Sequence, residues 1–307
     1  MARANILLLL ACIAATARPT AAGAQKNAKR CTALLEKLWQ ATQPAREVLG
    51  LAKVGRLRDD YGRAEGFHER CLSLRPQELA CLEDHPRSLL AFSDCLPPQD
   101  RGQPQALRPP SLLGLIEESS PPASAYTSEQ LARLLEGGWR NSWPEGRSRV
   151  FWRINRRGRI AETRWGPDGN ITQRHLLITG GSEGWLQVDT GDGRLERWPW
   201  LRLGPRRMIV GRHLPHALLA PFTEGRARLK YRRLLLSIEE ERCLVIGDAG
   251  ALAPALCRWE QEKSRRRLLV EWQHPETGAP GRAVFYLLAD HLVEDKLVRS
   301  GWFEKKP

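Results

Sequence analysis

A chain of 307 residues, 42% of them apolar and eleven of them tryptophan, is long enough for two domains and for a packed core, which excludes wholesale disorder. Its 48 basic residues against 35 acidic ones leave a formal charge of +13, and the excess is C-terminal: residues 25–126 hold fourteen bases and thirteen acids, residues 127–307 thirty-two and twenty-two. Such a surface favours anionic partners, set against an arginine usage (39 of the 48 bases) that a GC-rich genome also produces.

Residues 1–24 have the order of a cleavable export signal. Arg3 is followed by an apolar run from Ile6 to Ala17 and by the small triplet Ala22-Gly23-Ala24, so the mature chain is expected to begin at Gln25. Leu9-Leu10-Ala11-Cys12 resembles a bacterial lipobox, and the alternative is a lipoprotein anchored at Cys12, the one case in which a membrane is a partner. A spanning helix needs about 18 apolar residues in a row, and Arg18 with Pro19 ends the run before that. Export to the periplasm or beyond puts the remaining cysteines in an oxidising compartment, where they pair. It also removes nucleic acid as a partner, for which no recognition motif occurs.

Residues 25–96 read as a small helical module. Leu34, Leu35, Leu38 and Trp39 recur at helical spacing, Pro44 suits the first turn of a second helix, and Leu57, Tyr61, Ala64, Phe67, His68 and Cys71 repeat the rhythm. Pro76 and Pro86 mark two more helix starts. So small a module buries a modest core and depends on cross-links. Its cysteines, Cys31, Cys71, Cys81 and Cys95, allow three connectivities. Antiparallel helices suit Cys31 with Cys71 and Cys81 with Cys95. The spacing resembles the four-cysteine helical segments of exported proteins from GC-rich bacteria such as myxobacteria, a group without assigned function, and the resemblance covers about a fifth of the chain.

Residues 97–126 contain seven of the 21 prolines and read as a semi-rigid linker, interrupted by Leu112, Leu113, Leu115 and Ile116, which are expected to dock on a domain. A short helix over 128–135, capped by Thr127 or Ser128, opens the last part, residues 127–307. The period then becomes two: Val150, Trp152 and Ile154 alternate with Arg149, Phe151 and Arg153, and Leu268, Val270 and Trp272 with Arg267, Leu269 and Glu271. Turn signals at Arg157-Gly158, Asp168-Gly169-Asn170, Asp192-Gly193 and Gly278–Gly281 separate the runs. Gly180-Gly181-Ser182 also reads as a turn. The fold class is therefore α+β: a small disulfide-linked helical module followed by an antiparallel β-barrel or sandwich domain of about eight to twelve strands. Cys243 and Cys257 flank a Gly247–Gly250 turn and are expected to pair across it.

Gly137-Gly138-Trp139 after a short helix resembles the opening of lipocalin-like barrels, with the second glycine directly before the tryptophan as a departure from the usual spacing. The run Ala283–Leu288, followed by His291-Leu292-Val293 and by Phe303, is similar to the closing hairpin of such domains. The resemblance implies a barrel with Trp139 plugging one end.

Known catalytic signatures are absent from the sequence: there is no Gly-x-Ser-x-Gly, no His-Glu-x-x-His and no phosphate loop. His213-x-x-His216 falls short of the three or four ligands a metal needs, and Glu239–Glu241 reads as a solvated turn, so no catalytic residue, metal or cofactor is assigned. Ten of the eleven tryptophans follow residue 138. Trp185, Trp198 and Trp200 are the candidate aromatic platform for a ligand, with Trp198 and Trp200 on one strand face. Arg228, Lys230 and Arg232, with Arg226, form a basic stripe, to which Arg265 and Arg267 would add if their strands are neighbours. The expected function is an exported, non-catalytic protein that binds an anionic envelope component or an apolar ligand through its basic, tryptophan-rich β domain. The alternatives are an enzyme acting on an envelope glycan or lipid, and a structural envelope protein without a small ligand.

Overall fold

Leucines three and four residues apart make α1 (Ala21–Ala41) the spine of the N-terminal part, with Cys31, Leu34 and Leu38 buried along one stripe. Around it pack α2 (Gln43–Val48), which has Pro44 in its first turn, α3 (Arg56–Arg63), α4 (Phe67–Leu72) and α5 (Pro76–Asp84). Cys31–Cys71 staples α1 to α4, and Cys81–Cys95 staples α5 to the chain around Phe92 and Leu96, the pairing that antiparallel helices called for. The Arg30 guanidinium adds a two-pronged bond to Glu83, at 3.1 and 2.8 Å. A further helix, α6 (Leu112–Ser119), places Leu112, Leu113 and Leu115 in this same core. The computed structural model describes residues 21–51, 56–63, 66–84, 92, 94–96, 107–119, 125–141, 149–212, 214, 217–231, 233–240 and 242–306. The apolar run and lipobox of the expected signal, Pro86, the linker segments 97–106 and 120–124, Trp143, His213, His216, Arg232 and Glu241 lie outside these residues. The triplet Ala22-Gly23-Ala24 falls within α1.

Among the described residues the β part contains seventeen strands in two antiparallel sheets, more than the eight to twelve expected. The first comprises β1 (Ala125–Tyr126), β2 (Gly137–Asn141), β3 (Arg149–Ile154), β4 (Arg159–Trp165), β5 (Ile171–Ser182), β6 (Gly184–Asp189), β7 (Leu195–Arg202) and β8 (Arg207–Val210). The chain then leaves to build a second sheet from β9 (Leu219–Pro221), β10 (Arg226–Tyr231), β11 (Leu234–Glu239), β12 (Cys243–Gly247), β13 (Leu252–Glu262), β14 (Arg265–Gln273), β15 (Pro280–Leu288) and β16 (His291–Glu294). After the short helix α8 (Asp295–Ser300) it returns as β17 (Trp302–Lys305), inserted between β2 and β8. The order β5-β4-β3-β2-β17-β8-β7-β6, with β6 also paired to β5, closes an eight-stranded barrel whose last stave comes from the far end of the chain. The second sheet runs β10-β11-β12-β13-β14-β15-β16-β9, and a Thr223↔Arg226 bridge at the turn joining β9 to β10 brings its two ends together.

Local sequence explains several joints. Thr127 caps α7 (Ser128–Leu135) in a full capping box with Gln130, and Leu131 and Leu135 close one end of the first barrel. Gly180-Gly181-Ser182 is the end of β5 and not a turn: Gly181 pairs with Leu186 and Ser182 with Trp185, and the reversal falls at Glu183-Gly184. Cys243–Cys257 links β12 to β13 as expected. The two lipocalin-like signatures separate. Gly137-Gly138-Trp139 opens the first barrel, whereas the Ala283–Val293 hairpin is β15–β16 of the second, and the strand that closes the first barrel is β17 with Phe303.

The helical body sits on the outer face of the second barrel. Ile246, Leu235 and Leu252 join its core, Leu112 N–H and Ser111 Oγ bond to Asp248 (2.9 and 2.5 Å), and Gly250 fits under Thr42, where a Cβ would stand 2.8 Å from the threonine methyl. Glu276 is buried at this seam and accepts from Ala249 N–H at 2.9 Å, and burial pushes its carboxyl up to about 7. The two barrels meet through Leu201 and Ile209 of the first, Tyr286 and Val293 of the second, and Leu297 and Val298 of α8.

Candidate functional site

The interior of the first barrel is filled. Trp139, Trp152, Trp198 and Trp200 point inward and are buried, with Trp152 stacked 4.3 Å from Phe303 and 5.8 Å from Trp198 between ring centroids. Each indole N–H has an acceptor: Trp139 donates to Leu135 O at 2.7 Å, Trp200 to Ser182 O at 2.8 Å, Trp152 to Glu162 at 2.8 Å and Trp198 to Glu196 at 2.7 Å. Glu162, 2% exposed, also meets the Arg212 guanidinium, and burial holds that guanidinium below its ordinary pKa. Two carboxylates thus lie beside the tryptophans at the barrel end opposite α7. One is neutralised by Arg212, the residue at which the chain leaves this barrel for the next.

The outer face is built differently. Because alternate residues face out, β2–β5 present Arg140, Arg149, Phe151, Arg153, Arg159, Ala161, Thr163, Trp165, Ile171, Gln173, His175 and Leu177, a row without one carboxylate. Acids flank the face: Glu304 lies opposite Arg140 and 3.8 Å from Arg207, Asp189 lies opposite Leu177, and the exposed Asp168, which accepts from Asn170 N–H at 3.2 Å, follows Pro167 in the β4–β5 turn. Across this face runs an open groove of about 640 Å³, bordered by Arg140, Arg149, Phe151, Trp165, Pro167 and Lys306. Arg149 lies directly opposite Trp165, and the Lys306 ammonium sits 5.3 Å above the Phe151 ring. Gly138 eases this arrangement, since a Cβ there would stand 3.1 Å from the tip of the Phe151 ring and the ring would have to shift by a few tenths of an ångström. Trp165 is 37% exposed, and none of the ion pairs among the described residues engages Arg140, Arg149 or Lys306.

The residues singled out from sequence fall in three places. Trp198 and Trp200 do share one strand face, and it is the inward one. Trp185 is on the outer face of the first barrel, half-buried, with the Arg197 guanidinium 4.5 Å from its ring. Arg226, Arg228 and Lys230 line the exposed side of β10 while Ala227 and Leu229 face in, and Arg228 reaches the carbonyl of Val48 in the helical body at 3.5 Å. Arg265 and Arg267 do not extend this stripe, because β14 is four places from β10 in the sheet. Arg267 is paired with Glu260 at 2.5 Å, and Arg265 lies 5.2 Å over Trp302. Among the described residues no group of three His, Cys, Asp or Glu is placed to hold a metal.

The groove itself went unread in the sequence. Its signal was present in Arg149-Val150-Phe151-Trp152-Arg153, where an aromatic ring occupies the polar side of an alternating strand. No family model, curated protein or solved structure matches this chain.

Proposed function

We propose that this is an exported, non-catalytic binding protein that holds an anionic component of the cell envelope on the outer face of its first barrel. The observation that carries the reading is the β2–β5 face, with four outward arginines, Lys306 beside them and no outward carboxylate. Like charges gathered on one sheet face repel one another and cost stability unless solvent or a counter-charge offsets them. The three disulfides accord with an oxidising, non-cytosolic location. The closed eight-stranded barrel, entered through a short helix and Gly137-Gly138-Trp139, is compatible with a lipocalin-like barrel. Its interior already holds four indoles, so the ligand is assigned to the outside.

The test is a titration of the mature chain, residues 25–307, against labelled polyphosphate by fluorescence anisotropy at rising salt. Binding that weakens steadily with salt, and at least about tenfold on Arg149→Glu with Lys306→Glu, is the expected result. Arg140 is left alone because reversing it would set a glutamate opposite Glu304. Binding that ignores both salt and the reversal contradicts the proposal.

A further inference from the structure

We infer that the groove takes an acidic polysaccharide strand, a sugar ring stacked on the exposed Trp165 and its carboxylates held by Arg140, Arg149 and Lys306; this rests on the reading of the basic face given above. The ring selects among anions. An aromatic face carries the negative part of the ring quadrupole, so it repels a bare inorganic anion and attracts C–H groups and cations. A ligand that uses both parts of this groove must present a flat, C–H-bearing ring together with negative charge. A uronic acid does so in every residue.

Placement supports the same ligand. Trp165 stands directly opposite Arg149, so an exposed ring and a guanidinium share one cross-strand pair, and Lys306, lying over the Phe151 ring, brings its ammonium to the same groove. The groove is open to solvent, which admits an extended strand. The disulfides accord with a location outside the cytosol, which favours glycans over nucleic acids as ring-bearing polyanions.

Four probes against the mature chain decide the matter: oligogalacturonate, with rings and charge; polyphosphate, with charge alone; maltohexaose, with rings alone; and phosphatidylglycerol vesicles. Oligogalacturonate is expected to bind tightest and maltohexaose not measurably. Trp165→Ala should weaken oligogalacturonate about tenfold and leave polyphosphate unchanged, while Trp165→Phe keeps most of the affinity. Unchanged polyphosphate binding also reports that the variant is folded. If polyphosphate or vesicles bind as tightly as oligogalacturonate, or if Trp165→Ala affects all probes alike, the glycan assignment falls and the anionic face stands. If no polyanion binds, both fall.

Discussion

The first barrel packs Trp139, Trp152, Trp198 and Trp200 around a buried Glu162–Arg212 pair, whereas the second fills with aliphatic side chains, Trp272 and Phe285 and is cross-linked by Cys243–Cys257. They differ outside as well. The helical body lies over β11 and β12 of the second, and the basic β2–β5 face of the first has no element upon it among the described residues. Similar strand number and pairing therefore serve two tasks: one barrel carries a domain on its outer wall, the other keeps that wall charged and open. The stripe on β10 belongs to the first task in part, since Arg228 already touches the helical body at Val48.

This contrast can be broken from the first barrel's side by removing β17. Ending the chain at Gly301 deletes both ladders that close the barrel and the Phe303 ring that covers Trp152. The loss is expected to exceed the whole margin of about 5–15 kcal/mol by which a domain is stable, so the near-UV circular dichroism of the stacked tryptophans should vanish while the second barrel keeps its disulfide. A native-like near-UV spectrum would refute the shared-barrel topology. Next in size, Glu162→Ala strands Arg212 in the barrel and should cost about 3–5 kcal/mol in urea unfolding, and replacing both partners, Glu162→Gln with Arg212→Met, should cost less than that single change. Equal or greater loss in the double variant would show that the pair is not coupled.

The smallest effect belongs to the second barrel. Glu276 has a folded pKa raised by burial to about 7 from an ordinary value of 4.5, so the folded state binds the extra proton. Its contribution is complete below the unfolded value and is lost as pH rises through 7, a fall on the order of 3 kcal/mol. Glu276→Gln should flatten stability between pH 4.5 and 7. An unchanged slope in that variant would assign the pH dependence to another group.

Much of this was legible locally. The Thr127 cap, the Pro44 and Pro76 helix starts and the Cys243–Cys257 pairing follow from spacing over short distances, whereas Cys31–Cys71 with Cys81–Cys95 was one of three connectivities and rested on an antiparallel packing of helices. What was not legible is non-local. A period of two says that Trp198 and Trp200 share a face, but not whether the face looks into a barrel or out of it. Nothing in residues 302–305 announces that they pair with residues 139–141, and without that strand the division into two sheets cannot be read. The Arg265–Arg267 stripe failed for the same reason, because strand order is not written in any one strand.

The central claim, that the first barrel's outer face and not the β10 stripe holds the anion, is tested most directly by one side-by-side titration. Labelled polyphosphate is added to the mature chain, to Arg149→Glu with Lys306→Glu, and to Arg228→Glu with Lys230→Glu, each pair removing the same charge. The groove pair should weaken binding at least about tenfold and the stripe pair by less than about threefold. Loss in the stripe pair with the groove pair unaffected would contradict the account.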